Sequence, residues 1–250
     1  MVSFTTNYLI MQPLLEVFTT SWNEADTVAK LIRWYRDRVP DCLITVYDNM
    51  STDNTMQICE NNAVVFRQFD TGDRMAEEAL IQLRNTTWKA TGAKFAIVCD
   101  SDELVDISES QLLSCGNGEK WNLCKCHGVE LFGHDSDPDN EFWGVDSEGY
   151  SKSVLFYAPA VQSMNFFAGS HSCSPTMNPG YEQKWCEEKI NLYHTKWQSW
   201  EKGLVRQNEI KNKGISQFSQ DRKWNFHYSL PDSAHEEYFR NGYEKRRRFS

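Results

Sequence analysis

The chain lacks several features that mark whole classes of proteins. No stretch approaches the ~20 consecutive apolar residues that a membrane-spanning helix needs. The first twenty residues contain no lysine, no arginine and no long apolar segment, unlike a signal peptide. No internal repeat or low-complexity tract is visible. We therefore expect a protein without stable membrane insertion that is located in the cytoplasm.

Positive charge is also scarce. Lysine and arginine together number 26 against 35 acidic residues, which gives a net charge of -9 and a pI of about 5.2. A general nucleic-acid-binding protein would carry a basic stripe, so we expect no nucleic-acid partner. An acidic balance is compatible with a metal-dependent site, because a bound cation inverts the local field.

The eight cysteines are scattered along the chain and most lie in apolar contexts, which predicts reduced thiols that pack as small hydrophobic groups. Cys124 and Cys126 would share one face of a strand, and with Cys115 and His127 they fit no usual zinc spacing. At 40% hydrophobic and 24% charged residues, the 250-residue chain can build one large core, so we predict a single domain.

Strands and helices alternate in the first hundred residues. The predicted elements are a strand at 14–19, a helix from Ser21 to about residue 35 with a possible Ser21–Glu24 capping box, a strand at 42–47, a short helix after Ser51 or Asp53, a strand at 63–66, a helix at 75–91 and a strand at 95–99. This alternation predicts an α/β fold with a parallel sheet and covering helices.

The second half has a different pattern. It predicts longer strands at 121–132 and 152–157, a late strand at 190–194 and a charged helix at 197–213. The residues from 232 onwards are strongly charged, and the run Lys245–Arg248 is predicted to be a solvated tail.

Two carboxylates, Asp100 and Asp102, directly follow the apolar run at 95–99. Unpaired carboxylates are costly to bury, so their compensation is expected to be a divalent cation and, beside it, a phosphate. Open α/β sheets bind ligands beyond the carboxyl ends of their strands, which is where these acids are predicted to lie. Glu103 is expected to be structural. The alternative is a solvated turn of acids.

Other polar residues admit two interpretations each. Asp48 ends the second strand and could accept hydrogen bonds from a base or ribose, or simply cap a turn. His194, together with an aspartate and phosphate oxygens, suits Mn²⁺ or Mg²⁺, or is a core histidine. His171 could contact an acceptor or a phosphate, or be an ordinary loop residue. Asp135 and Asp137, within an acid-rich loop at 134–140, could supply a general base or be solvated.

These motifs together resemble family-2-type glycosyltransferases of the GT-A fold. The resemblance covers roughly residues 14–230 and lies in Asn23-Glu24, Asp48-Asn49-x-Ser51-Thr52-Asp53 and Asp100-Ser101-Asp102-Glu103. Asn85-x-x-Trp88-Lys89, Gly169-x-His171 and Tyr193-His194 are similar to one branch of predicted bacterial and viral transferases.

The resemblance implies a Rossmann-like, mostly parallel central sheet flanked by helices. Residues 1–105 would form the nucleotide-binding half, 106–230 a more irregular acceptor-binding half, and 231–250 a charged tail. The donor would be a UDP- or GDP-sugar and the acceptor a carbohydrate or glycoprotein. The metal, Mn²⁺ or Mg²⁺, would bind Asp102 and His194. The implied nucleotide-sugar contacts are Thr19, Asn23, Glu24, Asp48, Ser51, Asp100 and Ser101, with Asp48 reading the base.

The catalytic base departs from the family pattern. Many relatives keep an acidic residue at a helix start in the second half, and no clear equivalent is visible here. Asp135, Asp137 and His171 are the candidates for an inverting reaction. Two other functions stay open: a phosphatase of the haloacid-dehalogenase type, which also places Asp-x-Asp after an apolar strand, and a binding module without turnover.

Overall fold

The computed structural model describes residues 12–72, 74–137 and 141–249. The helices are α1 (Ala25–Arg38), α2 (Thr55–Asn61), α3 (Glu77–Thr86), α4 (Glu109–Ser114), α5 (Trp200–Lys213), α6 (Gln217–Asp221) and α7 (Asp232–Lys245). The strands are β1 (Leu15–Ser21), β2 (Leu43–Asp48), β3 (Val65–Gln68), β4 (Phe95–Asp100), β5 (Glu103–Val105), β6 (Leu123–Leu131), β7 (Phe142–Asp146), β8 (Lys152–Tyr157), β9 (Val161–Ser163), β10 (Thr176–Met177), β11 (Asn191–His194) and β12 (Arg247–Phe249).

The first half forms the parallel part of the sheet, in the order β3-β2-β1-β4. Alternate residues of β4 belong to different apolar clusters: Phe95 and Ile97 pack in one, whereas Ala96 and Val98 pack in the other. Because successive side chains of a strand point to opposite faces, the sheet has a core on both sides. This two-sided burial explains why the sequence of β4 is an unbroken apolar run.

The second half extends the same sheet with antiparallel strands. β8 pairs antiparallel with β4, and β6, β7 and β12 follow it outwards, each antiparallel to its neighbour. β11 lies parallel to β6 and antiparallel to the short strand β5. The expected α/β class with a central sheet flanked by helices is confirmed, and its parallel pairing is concentrated in the first four strands.

The start of α1 differs from the prediction. The helix begins at Ala25, and the expected capping box between Ser21 and Glu24 does not form. The Ala25 backbone N–H instead donates to the Asp53 carboxylate at 3.0 Å, so a residue of the next loop caps the helix. Because Asp53 is 28 positions from Ala25, the residues around the start of α1 do not reveal this cap.

The C-terminal residues are folded and do not form a tail, although the side chains of Lys245, Arg247 and Arg248 are exposed, as predicted. α7 buries Phe239 against Phe132, and β12 adds an edge strand beside β7. Arg247 pairs with the Asp146 carboxylate at 2.5 Å. The charges lie on the outer face of these elements, and the apolar positions between them provide the packing.

Two further expectations concern cysteines and membranes. All eight cysteines are free, and the Cys124 and Cys126 sulfurs lie 3.9 Å apart in the core, as expected for one face of β6. Within the described ranges, every helix is too short or too polar to cross a membrane.

Candidate active site

The carboxyl ends of the parallel strands define one edge of the sheet. Strand register aligns Ser21 of β1 with Asp48 of β2, and Thr20 with Asp100 of β4. The Thr20 hydroxyl donates to the Asp100 carboxylate at 3.3 Å, which confirms that neighbouring strand ends meet here. Residues that follow β1, β2 and β4 in sequence therefore converge in space, as the spacing of the motifs predicts.

The loops after β1 and β2 hold each other. The Asn23 backbone N–H donates to the Ser51 hydroxyl at 2.7 Å, and the Thr52 N–H donates to the Asn23 side-chain oxygen at 2.8 Å. Asp48 is fully buried, and Ser51 donates to both of its carboxylate oxygens. Asp48 thus fixes the turn that follows β2, and its contact with a base stays a prediction.

Asp100 is held between two cations. Its carboxylate accepts a hydrogen bond from Arg84 at 2.6 Å and lies 3.9 Å from the Lys152 ammonium group. Burial alone would raise the pKa of Asp100, but Arg84 and Lys152 outweigh it and keep the pKa below its usual range. The Asp100 carboxylate is therefore negatively charged and partly exposed, and the buried side chains of Arg84 and Lys152 hold it in place.

Glu103 is a buried carboxylate, and its structural role stays a prediction. Its carboxylate is buried, pairs with Lys152 and accepts the Asp100 backbone N–H at 3.3 Å. Asp102, Glu103 and His194 offer ligand atoms within 4.8 Å of one another. The Glu103 carboxylate is already engaged by Lys152, so Asp102 and His194 are the pair whose ligand atoms face each other.

His194 lies between two carboxylates. Its Nδ1 is 2.9 Å from Glu130 Oε1, and its Nε2 is 3.2 Å from Asp102 Oδ2. Burial alone would lower the pKa of His194, but Glu130 and Asp102 raise it to about 10. The Tyr150 ring stacks on the imidazole, with ring centroids 4.4 Å apart. Nε2 is thereby fixed towards Asp102.

This arrangement fits a divalent cation. Metal-bound histidines commonly donate their second ring N–H to a carboxylate, which fixes the tautomer and the ring orientation. Glu130 occupies that position on the Nδ1 side, and Asp102 presents a carboxylate oxygen on the Nε2 side. One imidazole and one carboxylate are the ligand types that Mn²⁺ accepts, and further positions would be open to phosphate oxygens.

A cavity of about 370 Å³ opens over these residues. Asp100, Asp102 and His194 line it from the strand ends, and Lys196 and Arg206 line the same space. Burial lowers the pKa of Lys196 to about 8, although Asp102 and Glu130 oppose that shift. We call this space the donor cavity after the nucleotide-sugar donor that the sequence resemblance predicts, since its carboxylates and cations would suit a diphosphate with a bound metal.

His171 enters the donor cavity from a tight turn at 168–170. Partial burial and, to a smaller extent, Lys152 lower the pKa of His171 to about 4. The imidazole is therefore neutral at physiological pH and can accept a proton.

A second, larger groove of about 1060 Å³ lies beside the donor cavity. Asp102 and Glu24 line both spaces, and Glu24 accepts the Ser101 hydroxyl at 2.7 Å while pairing with Arg206 at 3.3 Å. Burial raises the pKa of Glu24 despite Arg206. The two spaces therefore share one wall.

Asp135 and Asp137 line the larger groove and not the donor cavity. Asp135 accepts a hydrogen bond from Ser199, and Asp137 accepts the His134 backbone N–H at 3.1 Å. Of the three candidate bases, the structure brings only His171 into the cavity with Asp100 and His194. Residues 138–140 of this loop lie outside the described residues.

Thr19 is buried and lines neither space, whereas Thr20 lines the donor cavity.

Sequence reasoning missed several residues of the donor cavity and its support. They are Arg84, Glu130, Lys152, Lys196, Arg206, His227 and Tyr228. Glu130 and Lys152 gave a detectable signal, since each is a charged residue within a predicted apolar strand. The others lie on helices or loops where charged and aromatic residues are common and unspecific.

No protein-family model and no curated protein matches this chain. Among solved structures, TarS 1-349 from S. aureus in complex with UDP is 11% identical over 80% of this chain and 65% of its own, with a TM-score of 0.47. The mannosyltransferase PcManGT from Pyrobaculum calidifontis, in complex with GDP-Man and Mn²⁺, is 17% identical over 47% of this chain and 36% of its own, with a TM-score of 0.34.

A third match is glucosyl-3-phosphoglycerate synthase from Mycobacterium tuberculosis, in complex with Mn²⁺, UDP and glucosyl-3-phosphoglycerate. It is 21% identical over 46% of this chain and 44% of its own, with a TM-score of 0.31. The chain spans less than two thirds of the length of each of these structures.

Proposed function

We propose that the protein is a metal-dependent glycosyltransferase. It moves a hexosyl or pentosyl group from a UDP- or GDP-sugar to a hydroxyl group of a carbohydrate or glycoprotein acceptor, with inversion at the transferred carbon. The observation that carries this proposal is the donor cavity. There, Asp100, Asp102 and His194 meet Lys196 and Arg206 at the carboxyl ends of parallel strands.

The donor is expected to lie across the strand ends. Asp100 would accept hydrogen bonds from a ribose or sugar hydroxyl, because its carboxylate is anionic and partly exposed. Lys196 and Arg206 face the same space and supply positive charge for the diphosphate. Asn23 and Ser51 would act by holding the two loops that frame the nucleotide.

Asp102 and His194 would hold the metal, Mn²⁺ or Mg²⁺, with Glu130 orienting the imidazole. When bound, such an ion neutralises the charge that develops on a departing diphosphate. The rest of the site would shield this charge from water, since Tyr150 covers one face of His194.

His171 is the proposed proton acceptor. In an inverting transfer, the acceptor oxygen attacks the anomeric carbon, the bond from that carbon to the diphosphate oxygen breaks, and the acceptor proton leaves to a base. His171 lines the donor cavity and is neutral at physiological pH, which is the protonation state that a base needs, although a pKa of about 4 makes it a weak base. Asp135 and Asp137 are less suitable, because they line the neighbouring groove.

The test is an assay of a panel of UDP- and GDP-sugars with Mn²⁺, Mg²⁺ or a chelator. We expect metal-dependent release of UDP or GDP, and loss of that release in Asp102→Asn. The matched control is Asp106→Asn, which removes a carboxylate four residues away that pairs with Arg38 outside both cavities. Phosphate release from simple monoesters would instead indicate a phosphatase, and nucleotide binding without turnover of any donor would indicate a binding module.

A further inference from the structure

Given the function proposed above, we propose that Glu77 is a positioning residue. Its carboxylate holds the turn that carries His171 and ties that turn, through Arg84, to Asp100. We call the buried pair Glu77–Arg84 the clamp. It sets the distance between Asp100, which would contact the donor, and His171, which would take the proton.

The Glu77 carboxylate is buried, with the residue 2% exposed, and it contacts three other parts of the chain. Its Oε1 accepts hydrogen bonds from the Gly169 backbone N–H and from Arg84 Nη1, both at 2.7 Å. Its Oε2 lies 3.4 Å from the Asn225 side-chain nitrogen. A charged acceptor makes stronger hydrogen bonds than a neutral one, so the bond to Gly169 is a firm attachment for the turn.

The turn needs such an attachment. Gly169 has a φ of 61° and Ser170 a φ of 56°, so two successive residues adopt the left-handed region. A non-glycine residue persists there only when its surroundings impose the conformation. A Cβ atom on Gly169 would lie 2.6 Å from Cδ2 of His171, so the imidazole packs directly against the glycine. Displacement of the Gly169 backbone would therefore displace the imidazole.

Other contacts also hold this segment: the His171 ring bonds the Gly149 backbone, and its centroid lies 6.0 Å from that of the Tyr150 ring. The Ser170 N–H donates to the Phe167 carbonyl at 2.9 Å, which is a bond within the turn. Asn85 of α3 accepts the Phe166 N–H at 2.7 Å and anchors the residues before the turn. Glu77 is on the same helix, two turns earlier, and anchors the glycine itself. α3 thus binds this segment through hydrogen bonds between Asn85 and Phe166 and between Glu77 and Gly169.

Arg84 extends the clamp to the donor side. Its Nη1 pairs with Glu77 and its Nη2 pairs with Asp100 at 2.6 Å, and its side chain is buried. The planar guanidinium group holds two carboxylates in fixed relative positions, which a lysine could not do. Glu77 and Arg84 therefore connect the Gly169 N–H to the Asp100 carboxylate through an unbroken series of hydrogen bonds and ion pairs.

The experiment compares Glu77→Gln with wild type in transferase assays and in amide hydrogen exchange. We expect kcat to fall by about 10²-fold, because a small misplacement of a reacting group has an effect of that order. The KM for the donor should change by less than about twofold, since the Glu77 carboxylate, although it lines the donor cavity, is already bound to Arg84, Gly169 and Asn225. Exchange at Gly169 should accelerate by roughly tenfold or more, because its acceptor loses its charge and the hydrogen bond weakens.

Glu78→Gln is the matched control. Glu78 is the next residue of the same helix, and it accepts bonds from Ser216 and Ser219 at 2.9 Å without contacting the turn. We expect its kcat and its Gly169 exchange to match wild type. If Glu77→Gln does not fold, the double variant Glu77→Gln with Arg84→Gln also removes the buried cation that has lost one of its two carboxylates, and it provides the same exchange measurement.

An unchanged kcat with unchanged Gly169 exchange would overturn the assignment. So would a raised KM with normal exchange, because it would place Glu77 in donor binding alone. A wild-type protein that transfers no sugar from any donor would refute the proposed function itself. In that case, faster Gly169 exchange in Glu77→Gln still supports the clamp, and unchanged exchange refutes it.

Discussion

The substitution Glu130→Gln tests how His194 is held. Glu130 has no exposed surface, and its two oxygens lie 2.9 and 3.0 Å from His194 Nδ1. Glutamine keeps the shape and one oxygen acceptor but removes the charge. We expect the free energy of unfolding to fall by about 2 kcal/mol, the usual value for a hydrogen bond to a charged group. Truncation to alanine should cost more, about 3–5 kcal/mol, because His194 would lose one of its two carboxylates.

The more informative result is metal affinity. Loss of a group that orients a metal-bound histidine typically weakens binding by about 10–100-fold, so Glu130→Gln should bind Mn²⁺ more weakly by that factor. Titration calorimetry with Mn²⁺ measures it, and urea denaturation of the same samples measures the change in stability. Tyr238→Phe is the control, since it removes a weak 3.5 Å bond to Glu130 and a bond to Tyr150 but leaves both carboxylates of His194 in place.

Two outcomes would refute this reasoning. Wild-type affinity for Mn²⁺ in a folded Glu130→Gln variant would show that the Nδ1 contact does not orient a ligand. Absence of Mn²⁺ binding to the wild-type protein would show that Asp102 and His194 pair with each other only as an ion pair.

The remaining predictions concern a titration and a close contact. By NMR, His171 should protonate with a midpoint of about pH 4 in the folded protein, and a midpoint near 6.5 would contradict its partial burial. Because this pKa is lower when folded, the unfolded chain binds the proton first. The resulting contribution to stability is present above about pH 6.5 and is lost as pH falls through about 4. Gly128→Ala should lower stability by about 1–3 kcal/mol and disturb the adjacent Tyr150, since a Cβ would lie 2.4 Å from the Ser147 carbonyl oxygen. Gly92→Ala, with open space around its Cβ position, should leave the melting temperature unchanged, and equal effects of the two substitutions would refute the steric argument.

The sequence allowed the parallel half of the fold to be predicted, because its signals are local. The apolar run of β4 and the acids that follow it identified the strand, its two-sided burial and the edge of the sheet where the donor cavity opens. Asp102 and His194 were paired by the family resemblance, and the structure places their side chains 3.2 Å apart.

The missed features depend on contacts between distant residues. Glu130 is 64 positions from His194, and Arg84 is 16 positions from Asp100, so neither pair produces a periodic pattern. Asp53 caps α1 from the next loop for the same reason. The C-terminal residues were misjudged because their charge dominates the composition, whereas the few apolar positions, such as Phe239, decide the packing.

The position of β4 has a consequence for synthesis on the ribosome. Once about the first hundred residues have emerged, β3, β2, β1 and β4 can pair, but the free side of β4 finds its partner only when β8, at Lys152–Tyr157, has been made. During that interval the nascent chain exposes an apolar strand with unsatisfied backbone groups, which is a template for association with other chains. We therefore expect the protein to depend on chaperones, or on slow expression at low temperature, far more during its production than after it has folded.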